Sequence, residues 1–223
     1  MLGILYDIHG NLPALEATLA DAETAGVDRW LLGGDYGVPS PWPMETIALL
    51  RALPDATWIR GNGERWIYEP PPDQPEIGRE FDRLLTDVPE ADKQWLYALP
   101  ESVELDGLLF THGSPLSDVE SFAPELQEGE ERLLAGVRDR TIVFGHSHQQ
   151  FRRPGPNGTT LVNPGSVGMP LDHDSRAAWA TWDGDIGFRR TEYDLERAAA
   201  GYRSLGGEMS EWLAGRIERG YDL

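Results

Sequence analysis

The chain is 223 residues long and 40% hydrophobic, with eight Trp, no Cys and a formal charge of −19 at pH 7. That apolar share suits a single packed α/β domain over residues 1–223 and excludes a disordered chain. Without Cys there are no disulfides, thiolate metal sites or Cys nucleophile. Without a basic stripe the chain is not built to hold an extended nucleic acid.

No apolar stretch approaches the length of a membrane span. The N-terminal apolar run has no basic stretch before it and meets Asp7 too early for a secretion signal. The sequence therefore points to a cytoplasmic protein with no membrane partner. An anionic substrate would need local positive charge, which bound divalent metals supply.

Leu2–Tyr6 reads as a buried strand. Pro13 then opens a helix to Ala25, with Leu12, Leu15, Leu19 and Ala22 on one stripe and Gly26 as its stop. Arg29–Leu32 is a second short strand, closed by Gly33-Gly34-Asp35, and Pro43–Leu53 a second helix. Thr57–Arg60 is a third strand, ended by Gly61-Asn62-Gly63. This alternation predicts βαβ units and parallel pairing. Glu69–Pro75, with four Pro in seven residues, is a loop or lid. Glu76–Asp87 and Pro89–Ala98 read as helices. Ser102–Leu105 and Leu108–Thr111 form a hairpin across an Asp106-Gly107 turn. The acidic stretch Ser114–Glu131 reads as a solvated loop, and a short helix to Val137 leads into the strand Thr141–Phe144. Phe151–Arg153, Thr159–Val162, Ala177–Trp182 and Ile186–Tyr193 are further strands joined by Gly-containing turns. A helical region from about Leu195 is broken at Gly206-Gly207.

The polar residues that close these strands form a series: Asp7 and His9, Asp35, Asn62, His112, then His146 and His148. Four of the five histidines belong to it; His173 does not. Taken singly, His9 or His112 reads as a hydrogen-bonded histidine, Asp7 or Asp35 as a cap or turn residue, and Asn62 as a turn signal. Coincidence does not place all seven at successive strand ends, where an open α/β sheet has its ligand crevice. Seven donors exceed one tetrahedral ion and suit two ions sharing a carboxylate. Mixed imidazole, carboxylate and amide donors favour Mn, Fe, Zn, Co or Ni over Mg or Ca.

Asp7-Ile8-His9-Gly10-Asn11, Gly34-Asp35, Gly61-Asn62, His112-Gly113 and Gly145-His146-Ser147-His148, in this order, resemble the motifs of the calcineurin-like metallophosphoesterases. Val162-Asn163-Pro164-Gly165-Ser166 is similar to the small bacterial, phosphodiesterase-like branch of that family. The resemblance implies a metallo-dependent phosphatase fold: an α/β protein in which two mixed β-sheets, flanked by helices, form a four-layer α/β/β/α sandwich. It implies that Asp7, His9 and His148 hold one divalent metal, that Asn62, His112 and His146 hold a second, and that Asp35 bridges them. The implied reaction is hydrolysis of a small phosphorylated substrate, diester or nucleotide-like ahead of monoester, by a hydroxide bridging the metals. Nucleoside polyphosphate hydrolysis, protein dephosphorylation and a catalytically weak metal-binding scaffold remain as alternatives, and homo-oligomerisation stays open.

The chain departs from the family pattern at Gly63, where the motif usually has the histidine that protonates the leaving group. Such general acid help is typically worth about 10²–10⁴-fold. Its absence leaves three outcomes: only good leaving groups are cleaved, Glu64 or Arg65 takes over, or metal is bound with little catalysis. The candidate catalytic residues are thus Asp35, Asn62 and Glu64, and the candidate substrate contacts Asn11, Arg65 and Asn163. Asn11 equally reads as a helix cap, and Asn163 as part of a tight turn. Leu171 stands where the related pattern often has Arg, which leaves Arg176, Arg65 or His173 as phosphate contacts, each also readable as structural. Tyr36 and Trp42 read as core aromatics rather than a stacking platform.

Overall fold

Residues 1–206 and 208–222 are described by the computed structural model; Gly207, where the C-terminal helical break is expected, lies outside them. The first third alternates as the sequence pattern requires: β1 (Leu2–Leu5), α1 (Leu12–Ala25), β2 (Arg29–Leu32), α2 (Pro43–Arg51), β3 (Ala56–Trp58) and the short α3 (Asn62–Trp66). Then come α4 (Pro75–Leu84), α5 (Glu90–Tyr97), β4 (Ser102–Leu105), β5 (Leu108–Thr111), a 3-10 turn at Glu130–Leu134 and β6 (Thr141–Val143). The chain closes with β7 (Gln150–Pro154), β8 (Thr160–Pro164), β9 (Ala177–Trp182), β10 (Ile186–Thr191), α6 (Leu195–Ser204) and α7 (Glu208–Arg219).

The strands build two five-stranded mixed sheets, ordered β10-β9-β1-β2-β3 and β4-β5-β6-β8-β7. In the first, β1, β2 and β3 run parallel and the β9–β10 hairpin is antiparallel. In the second, β5, β6 and β8 run parallel, with β4 and β7 antiparallel at the edges. The C-terminal ends of β1, β2, β3, β5 and β6 are the ends the polar series follows.

Period-two alternation decides which side chains meet where. Leu2, Ile4 and Tyr6 project between the sheets against Leu108, Phe110, Val143 and Val162. On the other face of the first sheet, Leu5 and Leu32 pack with Leu15, Ala22, Ile47 and Leu50 of α1 and α2. On the outer face of the second sheet, Ile142, Phe144 and Leu161 pack with Phe122, Leu133 and Leu134. That fourth layer is the 3-10 turn and the irregular segment before it, where the sequence leads one to expect a short helix to Val137. Burial of each such side chain contributes roughly 1.5–3 kcal/mol, so an inter-sheet truncation such as Phe110→Ala costs about 3–5 kcal/mol.

Most element ends differ from the sequence expectation by one to three residues, as helix and strand ends commonly do. Two differences have specific causes. β3 ends at Trp58 because the Arg60 amide leaves the sheet to donate to the Pro100 carbonyl at 2.7 Å. The Ser114–Glu131 stretch is loop-like as expected but not simply a solvated face. Glu130 is buried and paired with Arg153 at 2.7 Å, and Asp118 is paired with Arg65. Among the described residues no helix is long and apolar enough to cross a membrane.

Candidate metal centre

Each strand hands its terminal polar residue to one point between the two sheets. Asp7 and His9 follow β1, Asp35 follows β2, Asn62 opens α3, His112 follows β5, and His146 and His148 follow β6. Five of these seven have left-handed backbone: Asp7 (φ 52°), His9 (47°), Asp35 (56°), His146 (65°) and His148 (57°). Non-glycine residues seldom adopt that conformation, and its concentration at one place marks strain held for function. Flanking glycines let the loops close. A Cβ on Gly34 (φ 98°) would lie 2.7 Å from His112 Nδ1, and one on Gly145 would lie 2.5 Å from Asp7 Oδ2.

The ring nitrogens are oriented by backbone carbonyls. His9 Nδ1 lies 2.8 Å from Val38 O, His112 Nδ1 2.8 Å from Gly33 O, and His148 Nδ1 2.7 Å from Met169 O. With Nδ1–H donating outward, His9 and His148 each turn an Nε2 lone pair inward, as His112 would once its proton is displaced, the arrangement of metal-ligating histidines. His9 Nε2 and His148 Nε2 then face each other at 3.1 Å. Asn62 Oδ1 lies 2.9 Å from both His112 Nε2 and His146 Nδ1. Asp35 turns Oδ2 toward His9 Nε2 (3.8 Å) and Oδ1 toward His112 Nε2 (3.5 Å). Asp7 Oδ2 accepts the His146 amide at 2.9 Å, while Asp7 Oδ1, 3.6 Å from His148 Nε2, has no hydrogen-bond partner.

This donor set fits divalent metal. Two ligands about 2.1 Å from one ion and at right angles lie about 3.0 Å apart, which matches the His9–His148 and Asn62–histidine separations. Turning the Asn62 amide over would let its nitrogen donate to both His112 and His146. That leaves the facing His9 and His148 nitrogens and the orphaned Asp7 oxygen unexplained, whereas a cation satisfies all three. Asp7, His9 and His148 form one group able to hold an ion, and Asp7, Asp35 and His112 a second.

The electrostatics agree. Burial, opposed by His112 and reinforced by Asp35, pushes the Asp7 carboxyl up to about 8. Burial acts on Asp35 in the same direction, but the charge and hydrogen bond of His112 hold it well below the usual carboxylate range. Burial would lower His112, yet Asp35 and Asp7 together push it up to about 10. Burial pushes His9 and His148 down, and brings His146 to about 4 with help from His112. Those three rings are thus neutral, the form that ligates metal.

The remaining sequence candidates lie around this cluster in other roles. Glu64 is buried, and its two oxygens accept the amides of Asp35 (2.9 Å), Tyr36 (2.8 Å) and Gly61 (2.9 Å). It braces the Asp35 loop onto α3, with both oxygens engaged by these amides. Burial, then the Asp35 charge, pushes it up to about 7 against those three amides. Asn11 is fully buried, caps α1 by accepting Ala14 N at 3.2 Å and donates to Gly168 O at 2.8 Å. Asn163 is likewise buried and donates to Gly145 O and Ser147 Oγ, steadying the loop that carries His146 and His148. Arg65 makes two bonds to Asp118, at 2.6 and 2.8 Å, beside His112. Arg176 is paired with Asp174, and His173 packs on Tyr221. Tyr36 is fully buried, and Trp42 packs beneath Arg197.

Sequence reasoning missed the contribution of the C-terminal helices. Tyr202 of α6 donates to His9 O at 2.7 Å. Arg216 of α7 lines the same cavity as His9, His146 and His148, lies over Trp212 at 4.3 Å and is paired with Asp222. Its charge is among those that lower both His9 and His148. The available signal was the stripe Met209, Trp212, Leu213 and Arg216 on one helix face, with a cation in an otherwise apolar row.

The model of the calcineurin-like phosphoesterase superfamily domain matches residues 1–185. An uncharacterized protein of Methanocaldococcus jannaschii is 26% identical over 256 residues, covering 97% of each chain. The crystal structure of a metallophosphoesterase from Sphaerobacter thermophilus is 25% identical, with a TM-score of 0.78 over 98% of this chain and 99% of that one. A hypothetical protein from Pyrococcus horikoshii shares the fold at a TM-score of 0.83 over the whole of both chains, at 19% identity.

Proposed function

The chain belongs to the calcineurin-like phosphoesterase superfamily, and from that premise we propose that it is a metal-dependent phosphodiesterase with a dinuclear centre, acting on small diester or nucleotide-like substrates. The observation that carries the reading is Asp35, whose two oxygens turn to His9 on one side and His112 on the other. In this reading Asp7, His9 and His148 hold one ion, Asn62, His112 and His146 the other, and Asp35 both. When bound, the two cations supply Lewis acidity toward a phosphoryl oxygen and an activated water for in-line displacement.

The chain's own residues set the rest. Carbonyls of Gly33, Val38 and Met169 fix the ligand rings, so little reorganisation accompanies the reaction. Arg216, paired with Asp222, lines the cavity on the His9–His148 side and is a cation within reach of an anionic substrate there only as that pair opens. At Gly63 there is no side chain to protonate a leaving group, and Glu64 is committed to three backbone amides. Esters whose leaving group departs without that proton, such as activated aryl esters, are therefore favoured; the preference for diesters over monoesters is what the resemblance to the phosphodiesterase-like branch implies.

The test is turnover of bis-p-nitrophenyl phosphate against p-nitrophenyl phosphate by Mn²⁺-loaded protein. The reading expects the diester to be the better substrate, and preference for the monoester would contradict it. Gly63 and the commitment of Glu64 also favour a second reading, a metal-binding scaffold. Its signature is a loaded protein that turns over neither ester.

A further inference from the structure

Next to the ligand cluster, α3, α4 and α7 enclose a cavity of about 320 Å³. Asp35 and Gly63 are in its floor, and Trp66, Phe81, Met209 and Trp212 are in its walls. The walls are mostly apolar, with Gln74 as a neutral amide and, among the described residues, no Lys or Arg in the lining to pair with a phosphate. Glu76 and Glu80 also line it, and they disfavour a second phosphoryl group there. A cavity of roughly 150 Å³ lined by apolar side chains accommodates benzene, so the space here suits one or two fused rings. Three aromatic walls and a thioether suit the faces and edges of such rings.

The position of the cavity gives it an occupant. Its floor is shared with the candidate metal centre, so a group seated in it is attached to whatever the cations hold. Met209 and Trp212 are 39% and 46% exposed, so the mouth opens to solvent at α7. Gly63 brings only backbone to the floor, where a Cβ would lie 2.9 Å from Asp35 Oδ1. We propose that this cavity is a specificity pocket for a flat, apolar aromatic substituent of the substrate's phosphoryl group, with α7 as the wall that selects it. The proposal rests on reading the adjoining cluster as a phosphoesterase centre.

The experiment measures binding rather than turnover. Full-length Mn²⁺-loaded protein is titrated calorimetrically with phenylphosphonate and with methylphosphonate. The phenyl compound is expected to bind about tenfold tighter or more, the effect of burying one aromatic ring. Trp212→Ala and, separately, Met209→Ala are surface substitutions expected to leave the fold intact. Each should cut the preference by about threefold or more, and with Met209→Ala, which leaves the Arg216–Trp212 stack in place, methylphosphonate affinity should hold. Equal affinities in the wild type, no binding of either compound, or a preference that neither variant changes overturns the proposal. A protein that shows the preference but hydrolyses no diester removes the hydrolytic reading and keeps the pocket. A protein that hydrolyses diesters without the preference does the reverse.

Discussion

His9 and His148, 139 residues apart in sequence, face each other Nε2 to Nε2 at 3.1 Å, each with its Nδ1 turned to a backbone carbonyl. Two inward lone pairs at that distance repel unless a cation lies between them. The pair is therefore the clearest sign that the strand-end loops were shaped around metal rather than around each other.

Asp35 has the most to lose by substitution. Asp35→Asn keeps an oxygen for the Gly63 amide, which now donates to Oδ1 at 2.7 Å, so the fold should persist. It removes the charge shared between His9 and His112. Loss of outer-shell partners alone costs metal sites about 10–100-fold, so this variant should lose more than about a hundredfold in diester turnover. Elemental analysis should find fewer than two ions per chain. Retained activity with one ion would refute the bridging role.

Glu64→Gln separates a brace from an acid. The amide replaces one acceptor oxygen with a donor that faces backbone N–H groups, leaving buried donors unsatisfied at a cost of about 1–3 kcal/mol. The melting temperature and metal affinity should both fall. The pH profile of the residual activity should keep its shape. An unchanged melting temperature with one limb of the profile lost would restore Glu64 as a proton donor.

Gly63→Ala tests how tightly the Asp35 carboxylate is held. A Cβ there would lie 2.9 Å from Asp35 Oδ1, so the carboxylate must move by a few tenths of an ångström. Misplacement of about 1 Å can cost 10²-fold, and a drop of several-fold in turnover is expected from this smaller shift. The same contact is why Gly63→His should not simply restore monoesterase activity. An alanine variant indistinguishable from wild type in metal content and rate would show that the loop yields freely.

Metal binding should release protons. In the metal-free protein Asp7, pushed up to about 8, and His112, pushed up to about 10, both hold protons at pH 7. A cation must displace them, so affinity rises with pH, most steeply below about 8 where both protons compete and less steeply from there to about 10 where only that of His112 does. Calorimetry in two buffers of different ionisation enthalpy should give a positive proton count on Mn²⁺ binding. A count of zero at pH 7 would contradict the cluster's charge state.

Much of this was readable from the chain because the signals are local. The short apolar runs of Leu2–Tyr6 and Leu108–Thr111, the Asp106-Gly107 turn and the Gly26 stop each determine their own neighbourhood. The candidate ligand series is legible for the same reason: its seven members follow five strands, Asp7 and His9 sharing β1 and His146 and His148 sharing β6. What stayed hidden depends on distant partners. Asn62-Gly63-Glu64 reads as a turn, yet it opens α3 because Glu64 reaches back to Gly61 N and across to Asp35 and Tyr36. Arg216 and Trp212 have no motif near them in sequence, and only the docking of α6 and α7 brings them to the cluster. Asn11 and Asn163 read both as substrate contacts and as cap and turn residues, and the hydrogen bonds that each makes across the fold are those of a cap and a turn.

The central claim, two cations shared by Asp35 in a hydrolytic centre, is tested most directly by titrating chelator-treated protein with Mn²⁺ while following bis-p-nitrophenyl phosphate hydrolysis. The account predicts that activity rises to a plateau at two ions per chain and that Asp35→Asn reaches neither the plateau nor the stoichiometry. Saturation at one ion with full activity, or two bound ions with no hydrolysis, would contradict it.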